Sequence, residues 1–160
     1  MTSSEDSAHI DVVRQVAREM RLMSSFDALF SQAVADRVGV HSTDIETLDL
    51  LNVLGPMTAG RLSQLTGLST GATTRLVDRL VRAGFVRREP DDQDRRRVII
   101  APVPENLGDV SKLYVPLMDK LGAVWASFSD EELTVILRFA RSSNNAVSEA
   151  NAIVRAEAGE

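Results

Sequence analysis

The 160-residue chain has the length of one domain, or of a pair of small domains sharing a core, and at 44% hydrophobic and 26% charged it has the composition of an ordinary soluble protein. Cysteine is absent, which excludes disulfides, thiolate catalysis and thiolate metal sites, and no apolar run approaches the roughly 20 residues of a membrane span. The formal net charge of −5 argues at first sight against nucleic acid.

The distribution of charge argues the other way. Residues 61–100 hold nine arginines (Arg61, Arg75, Arg79, Arg82, Arg87, Arg88, Arg95, Arg96 and Arg97) against five acids, a balance of +4, which leaves −9 for the rest. A basic middle between acidic ends is the asymmetry expected where one region meets a polyanion. Residues 1–7 lack the basic start and apolar core of a signal peptide, so a cytoplasmic protein is expected. His9 and His41 are too few and too far apart for a metal motif, so they read as surface or helix-end residues. No nucleophile with a base at workable spacing and no phosphate loop is found. The sequence therefore predicts no enzyme, no catalytic residues, no metal and no cofactor.

From Ala8 to Val38, Val12, Val13, Val16, Met20, Met23, Phe26, Phe30 and Val34 recur in steps of three and four. This predicts an amphipathic helix longer than one small domain needs, ended by Gly39. Ser42-Thr-Asp-Ile-Glu predicts the capped start of a second helix through Ile45, Leu48, Leu51 and Leu54, stopped at Gly55-Pro56. Thr58 is placed to cap a short helix carrying Leu62 and Leu65. Gly67 and Leu68 make a turn, and Ser69 or Thr70 caps a further helix with Ala72, Leu76, Val77 and Leu80 on one face. Two short helices joined by a glycine-containing turn make a helix-turn-helix.

Phe85-Val-Arg-Arg-Glu and Arg96-Arg-Val-Ile-Ile-Ala then read as two strands, with Pro90-Asp-Asp-Gln-Asp as the hairpin tip. A hairpin directly after a helix-turn-helix is a wing. Pro102 and Pro104 break the chain before a helix through Val110, Leu113, Leu117, Leu121 and Val124, kinked by Pro116. Ser129-Asp-Glu-Glu predicts the start of a last helix through Leu133, Ile136, Leu137 and Ala140.

The stretch LSQLTGLSTGATTRLVDRLVRAGFVRRE followed by the wing DDQDRRRVII resembles the multiple-antibiotic-resistance regulator (MarR) family of bacterial winged-helix transcription factors. The likeness is close over Leu48 to Ala101, and Asp94 and Arg96 match the family's D-x-R wing signature. It implies a mainly α fold: a winged helix-turn-helix lobe with a two-stranded wing over residues 42–102, and a helical dimerisation domain from residues 8–40 and 105–156. The implied partners are double-stranded DNA, a second copy of the chain and, as a candidate effector, a small aromatic or phenolic molecule; no membrane is involved. The implied function is a dimeric, sequence-specific regulator, most simply a repressor on a palindromic operator. The competing reading is a winged helix used for protein contact or for non-specific chromosome binding.

Residue by residue, the likeness assigns base or phosphate contacts to Thr70, Gly71, Thr74, Arg75 and Arg79 on the recognition helix. Arg75 is able to bond guanine bidentately. In the wing it assigns Arg95, Arg96 and Arg97, with Arg96 entering the minor groove and Asp94 orienting it. Alternation along a strand predicts that these three arginines do not all point one way. The acids Asp91, Asp92 and Asp94 would repel DNA unless paired with arginine, which predicts a structured tip. Phe26, Phe30, Tyr114 and Trp125 are candidates to line an effector pocket, with core or dimer-interface packing as the plainer reading.

Overall fold

The computed structural model describes the backbone of residues 2–157 and the side chains of residues 6–155. In chain order the elements are α1 (Thr2–Val38), α2 (Ser42–Leu54), β1 (Met57–Thr58), α3 (Ala59–Thr66), α4 (Thr70–Arg82), β2 (Val86–Pro90), β3 (Val98–Pro102), a 3-10 turn (Pro104–Asn106), α5 (Gly108–Trp125) and α6 (Asp130–Glu157). The chain divides between Leu50 and Leu51 into two compact units. Among the described residues no helix is long and apolar enough to cross a membrane.

In the first unit, α1 runs for 37 residues, about 55 Å at 1.5 Å per residue. It starts earlier than the apolar periodicity suggests, at Thr2 rather than near Ala8. It ends where expected: Gly39 takes a positive φ of 78°, and the N–H groups of Gly39 and Val40 both reach the Ala35 carbonyl, at 2.8 and 3.0 Å. The start of α2 uses a variant of the expected capping. The Asp44 carboxylate accepts from the His41 N–H at 3.3 Å, while the Asp44 N–H returns to the His41 carbonyl at 2.9 Å. Val34, Ala35, Ile45 and Leu48 are buried, whereas Val12, Val13, Val16, Met23, Phe26 and Leu29 of α1 are exposed.

The second unit has a core of Leu51, Met57, Leu62, Leu76, Val77, Leu80, Val86, Ile100, Ala101 and Val110. On α4 the buried residues are Thr73, Leu76, Val77 and Leu80, one helical face that packs on α3 and β2. Thr73 takes the place expected for Ala72; its hydroxyl is satisfied by the Ser69 carbonyl at 3.1 Å, so it can be buried. The sheet has three antiparallel strands in the order β1-β3-β2, running from Val86 opposite Pro102 to Pro90 opposite Val98. The wing is two-stranded as expected. The added strand β1, with Met57 opposite Ile100, is two residues long and so leaves no periodicity to read.

Pro102 sits at the end of β3, where its missing N–H disturbs no ladder, and Pro104 opens the 3-10 turn. Pro116 lies within α5 without ending it. At the start of α6 the capping box is complete: Glu132 Oε2 accepts from the Ser129 N–H at 2.8 Å, and Ser129 Oγ accepts from the Glu132 N–H at 3.3 Å.

Candidate nucleic-acid interface

The entry to α4 is fixed by hydrogen bonds at each step of the turn. Thr58 Oγ1 caps α3 by accepting from the Arg61 N–H at 3.2 Å. Gly67 ends α3 in the left-handed conformation at φ 68°, its N–H bonding the Ser63 carbonyl. Ser63 Oγ reaches forward to the Leu68 carbonyl at 2.7 Å. Ser69, rather than Thr70, is the cap of α4, accepting from the Ala72 N–H at 3.3 Å. The three residues Gly67 to Ser69 therefore hold α4 at a set angle to α3, as a helix-turn-helix requires.

Opposite the buried face of α4, Thr70, Gly71, Thr74 and Arg75 are exposed and Arg79 is half-buried. The Thr74 hydroxyl donates to the Thr70 carbonyl at 2.9 Å, so its lone pairs are what it presents outward. That suits it to accept from a base amino group or a bridging water. Arg75 Nη1 would lie 3.6 Å from a Cβ at Gly71, so the guanidinium leans over the first turn, the usual direction for a helical side chain. Asp78, an acid on this surface, is paired with Arg88 of β2 at 2.7 Å. The pair ties the recognition helix to the wing and removes a charge that would repel phosphate. Sequence reasoning missed it because ten residues and a change of element separate the partners.

The wing departs from one expectation. Arg95, Arg96 and Arg97 precede β3 and form part of the tip, residues 91–97, so strand alternation does not govern them. The reason is local. Asp91 Oδ1 accepts from the N–H groups of Gln93 and Asp94 at 2.8 and 3.4 Å, and Asp94 Oδ1 accepts from the Arg96 N–H at 3.1 Å. These side chains offer the backbone an alternative to the ladder. The tip is closed across its base by Asp91 N–H to the Arg97 carbonyl at 3.1 Å. Arg96 Nε lies 3.4 Å from Asp94 and Arg97 Nε lies 3.7 Å from Asp91, so two of the acids are paired as expected. The Arg96 side chain is 93% exposed while its carboxylate partner is 41% exposed: the acid holds the stem and the guanidinium projects. Arg75 and Arg95 form no ion pair among the described residues.

Phe26 and Phe30 are one turn apart on α1, with Phe26 exposed and Phe30 half-buried. Tyr114 and Trp125 lie eleven positions apart on α5, about 16 Å along the axis, so a single ring does not touch both. Among the described residues no group of three or more His, Asp or Glu is placed to hold a metal.

Residues 40–98 match the model of the MarR family. Over 136 residues, 85% of this chain and 88% of the relative, the sequence is 39% identical to YcgE of Bacillus subtilis (strain 168), an uncharacterized HTH-type transcriptional regulator. The chain belongs to the MarR family. Among solved structures it is similar to a MarR family protein from Bacillus stearothermophilus, with a TM-score of 0.58 and 27% identity over 84% of this chain and 96% of that one. The transcriptional regulator Tm0710 from Thermotoga maritima shares the fold, with a TM-score of 0.60 at 22% identity, over 86% and 96% of the two chains. MarR family proteins are transcription regulators, so this chain is a DNA-binding transcription regulator with a winged helix-turn-helix and is not an enzyme.

Proposed function

We propose that the protein is a homodimeric, sequence-specific repressor that occupies a palindromic operator and is released by a small aromatic ligand. The observation that carries the DNA-reading part is the exposed first half of α4. Small or hydroxyl-bearing residues (Thr70, Gly71 and Thr74) surround an arginine free of ion pairs, on a helix whose opposite face is fully committed to the core. Such a surface can approach the major groove closely, with Arg75 on guanine and Arg79 near the backbone. The projecting Arg96, held by Asp94, suits the narrow electronegative minor groove beside it, and Arg95 and Arg97 suit the flanking phosphates. Two copies of α4 would enter successive major grooves about 10 base pairs apart. A regulatory role on DNA supports a cytoplasmic location.

The dimer rests on the long helices. Leu22, Met23, Phe26 and Leu29 of α1, Val115, Met118, Val124 and Trp125 of α5, and Ile136, Leu137 and Phe139 of α6 are all large, apolar and exposed. So much apolar surface on a chain this size calls for a partner, and a second copy supplies the matching stripes. We assign residues 8–40 and 105–156 to this dimerisation domain and residues 42–102 to the DNA lobe. Phe26, Phe30, Tyr114 and Trp125 would supply the aromatic surface for an effector. An effector releases DNA only if it binds the non-DNA spacing of the two lobes more tightly than the competent one. Trp125 is the single tryptophan, so its fluorescence reports directly on titration with phenolic acids.

The deciding experiment is equilibrium binding to the DNA upstream of the protein's own gene against a scrambled duplex, over a salt series. A preference of about a thousandfold or more with a steep salt slope is expected. Equal, salt-sensitive binding to both duplexes would favour non-specific chromosome binding. No binding at low salt would make the lobe a protein-contact module.

A further inference from the structure

We infer that Arg155, in the last turn of α6, is a positioning residue for the recognition helix, clamping the helix-turn-helix from outside; the inference rests on the DNA-binding role of α4. Arg155 Nη1 donates to the Gln64 carbonyl at 3.2 Å and Nη2 to the Thr66 carbonyl at 3.1 Å. Both carbonyls belong to the final turn of α3, where helix geometry leaves carbonyls without a backbone donor. The N–H that would normally reach Gln64, that of Leu68, goes to Thr66 Oγ1 at 3.4 Å, which leaves the two carbonyls to the guanidinium fork. A cation at a helix C-terminus is also favoured by the dipole.

Gly67 makes room for the clamp. A Cβ built on it would overlap Cζ, Nη2 and Nε of Arg155, so the guanidinium occupies the space that any other residue in the turn would fill. The glycine thus has two duties: it supplies the left-handed φ of 68° that ends α3, and it admits the clamp. The consequence is mechanical. α6 presents a large apolar surface at Ile136, Leu137 and Phe139 and, 16 to 19 residues further along the same helix, holds the turn that aims α4. A change in the seating of α6 is therefore felt at the entry to the recognition helix through one side chain.

Two arms test this on the full-length protein. In the first, amide hydrogen exchange is followed in Arg155→Gln without DNA. Faster exchange at residues 66–72, with the core of α4 around Leu76 to Leu80 unchanged, is expected; unchanged exchange at the turn overturns the clamp. In the second, affinity is measured for a duplex selected by the wild-type protein from a random-sequence pool, and for its scrambled counterpart. Arg155→Gln should lose about tenfold on the selected duplex and little on the scrambled one, with part of the loss recovered in Arg155→Lys, which keeps the charge but not the fork. Equal loss on both duplexes would make Arg155 a phosphate contact and overturn the positioning role, as would no loss on either. If the wild type selects no sequence, the sequence-specific reading fails by itself, and the exchange arm still decides the clamp.

Discussion

The winged-helix lobe and the long helices put their apolar residues to opposite ends. In the lobe, Leu62, Leu76, Val77, Leu80, Val86 and Ile100 are all buried within the chain. In α1 and α6 many large apolar side chains stay in solvent, with Phe26 at 65% and Val154 at 65% exposure. The change is visible within α5, whose first turn buries Val110 and whose later turns leave Val115, Met118 and Val124 exposed. The lobe buries its own apolar residues, which keeps the exposed face of α4 in fixed geometry. The long helices leave large apolar side chains exposed. A self-contained core and exposed apolar surface thus fall to different stretches of one chain.

The sharpest way to break this contrast is to cut the same chemistry from each side of it. Leu80→Ala should cost about 2 to 5 kcal/mol of thermal or denaturant stability, because it leaves a cavity in a closed core. Phe26→Ala should leave the unfolding of the lobe unchanged while weakening self-association by about 2 kcal/mol, as expected for an interface anchor. Sedimentation at a series of concentrations measures that shift, and a stable 17.5 kDa monomer of the wild-type chain at micromolar concentration would remove the contrast altogether.

Within the lobe, Arg96→Ala should lose about 1 to 3 kcal/mol of binding to the preferred duplex with stability intact, since its guanidinium is solvated in the free protein. Arg75→Ala should lose more on the preferred duplex than on random DNA. The smallest effect is expected at the capping box of α6. Ser129→Ala should lower stability by about 1 kcal/mol at neutral pH. The Glu131 carboxylate accepts from its own backbone N–H and from Ser129, and both bonds hold its pKa below the ordinary glutamate value. Its contribution is therefore present above the unfolded value of about 4.3 and is lost as pH falls through the lower folded value, a loss that Ser129→Ala should reduce. Helicity followed by circular dichroism from pH 6 downward measures it.

The elements most legible in the sequence were those with local causes. Ser129 and Glu132 cap α6 because they are three residues apart, and Gly39 and Gly67 take positive φ where a helix must stop. The recognition face was legible for the same reason, since burying Leu76, Val77 and Leu80 leaves Thr70, Thr74 and Arg75 outward whatever the rest does. The wing was legible in position but not in detail. The carboxylates of Asp91 and Asp94 compete with the ladder for backbone N–H groups, and a propensity argument sees the arginine-valine-isoleucine run without seeing that competition.

Periodicity and caps thus determined the order of elements, the helix-turn-helix and the residues that α4 leaves exposed, because each depends on neighbours within one or two helical turns. Tertiary structure alone decided that Met57 joins β3, that Asp78 is neutralised by Arg88, and that Arg155 closes on carbonyls 89 and 91 positions away. Those pairings exist only once packing has brought distant segments together, and a charge or a two-residue strand carries no local mark of the partner it will meet.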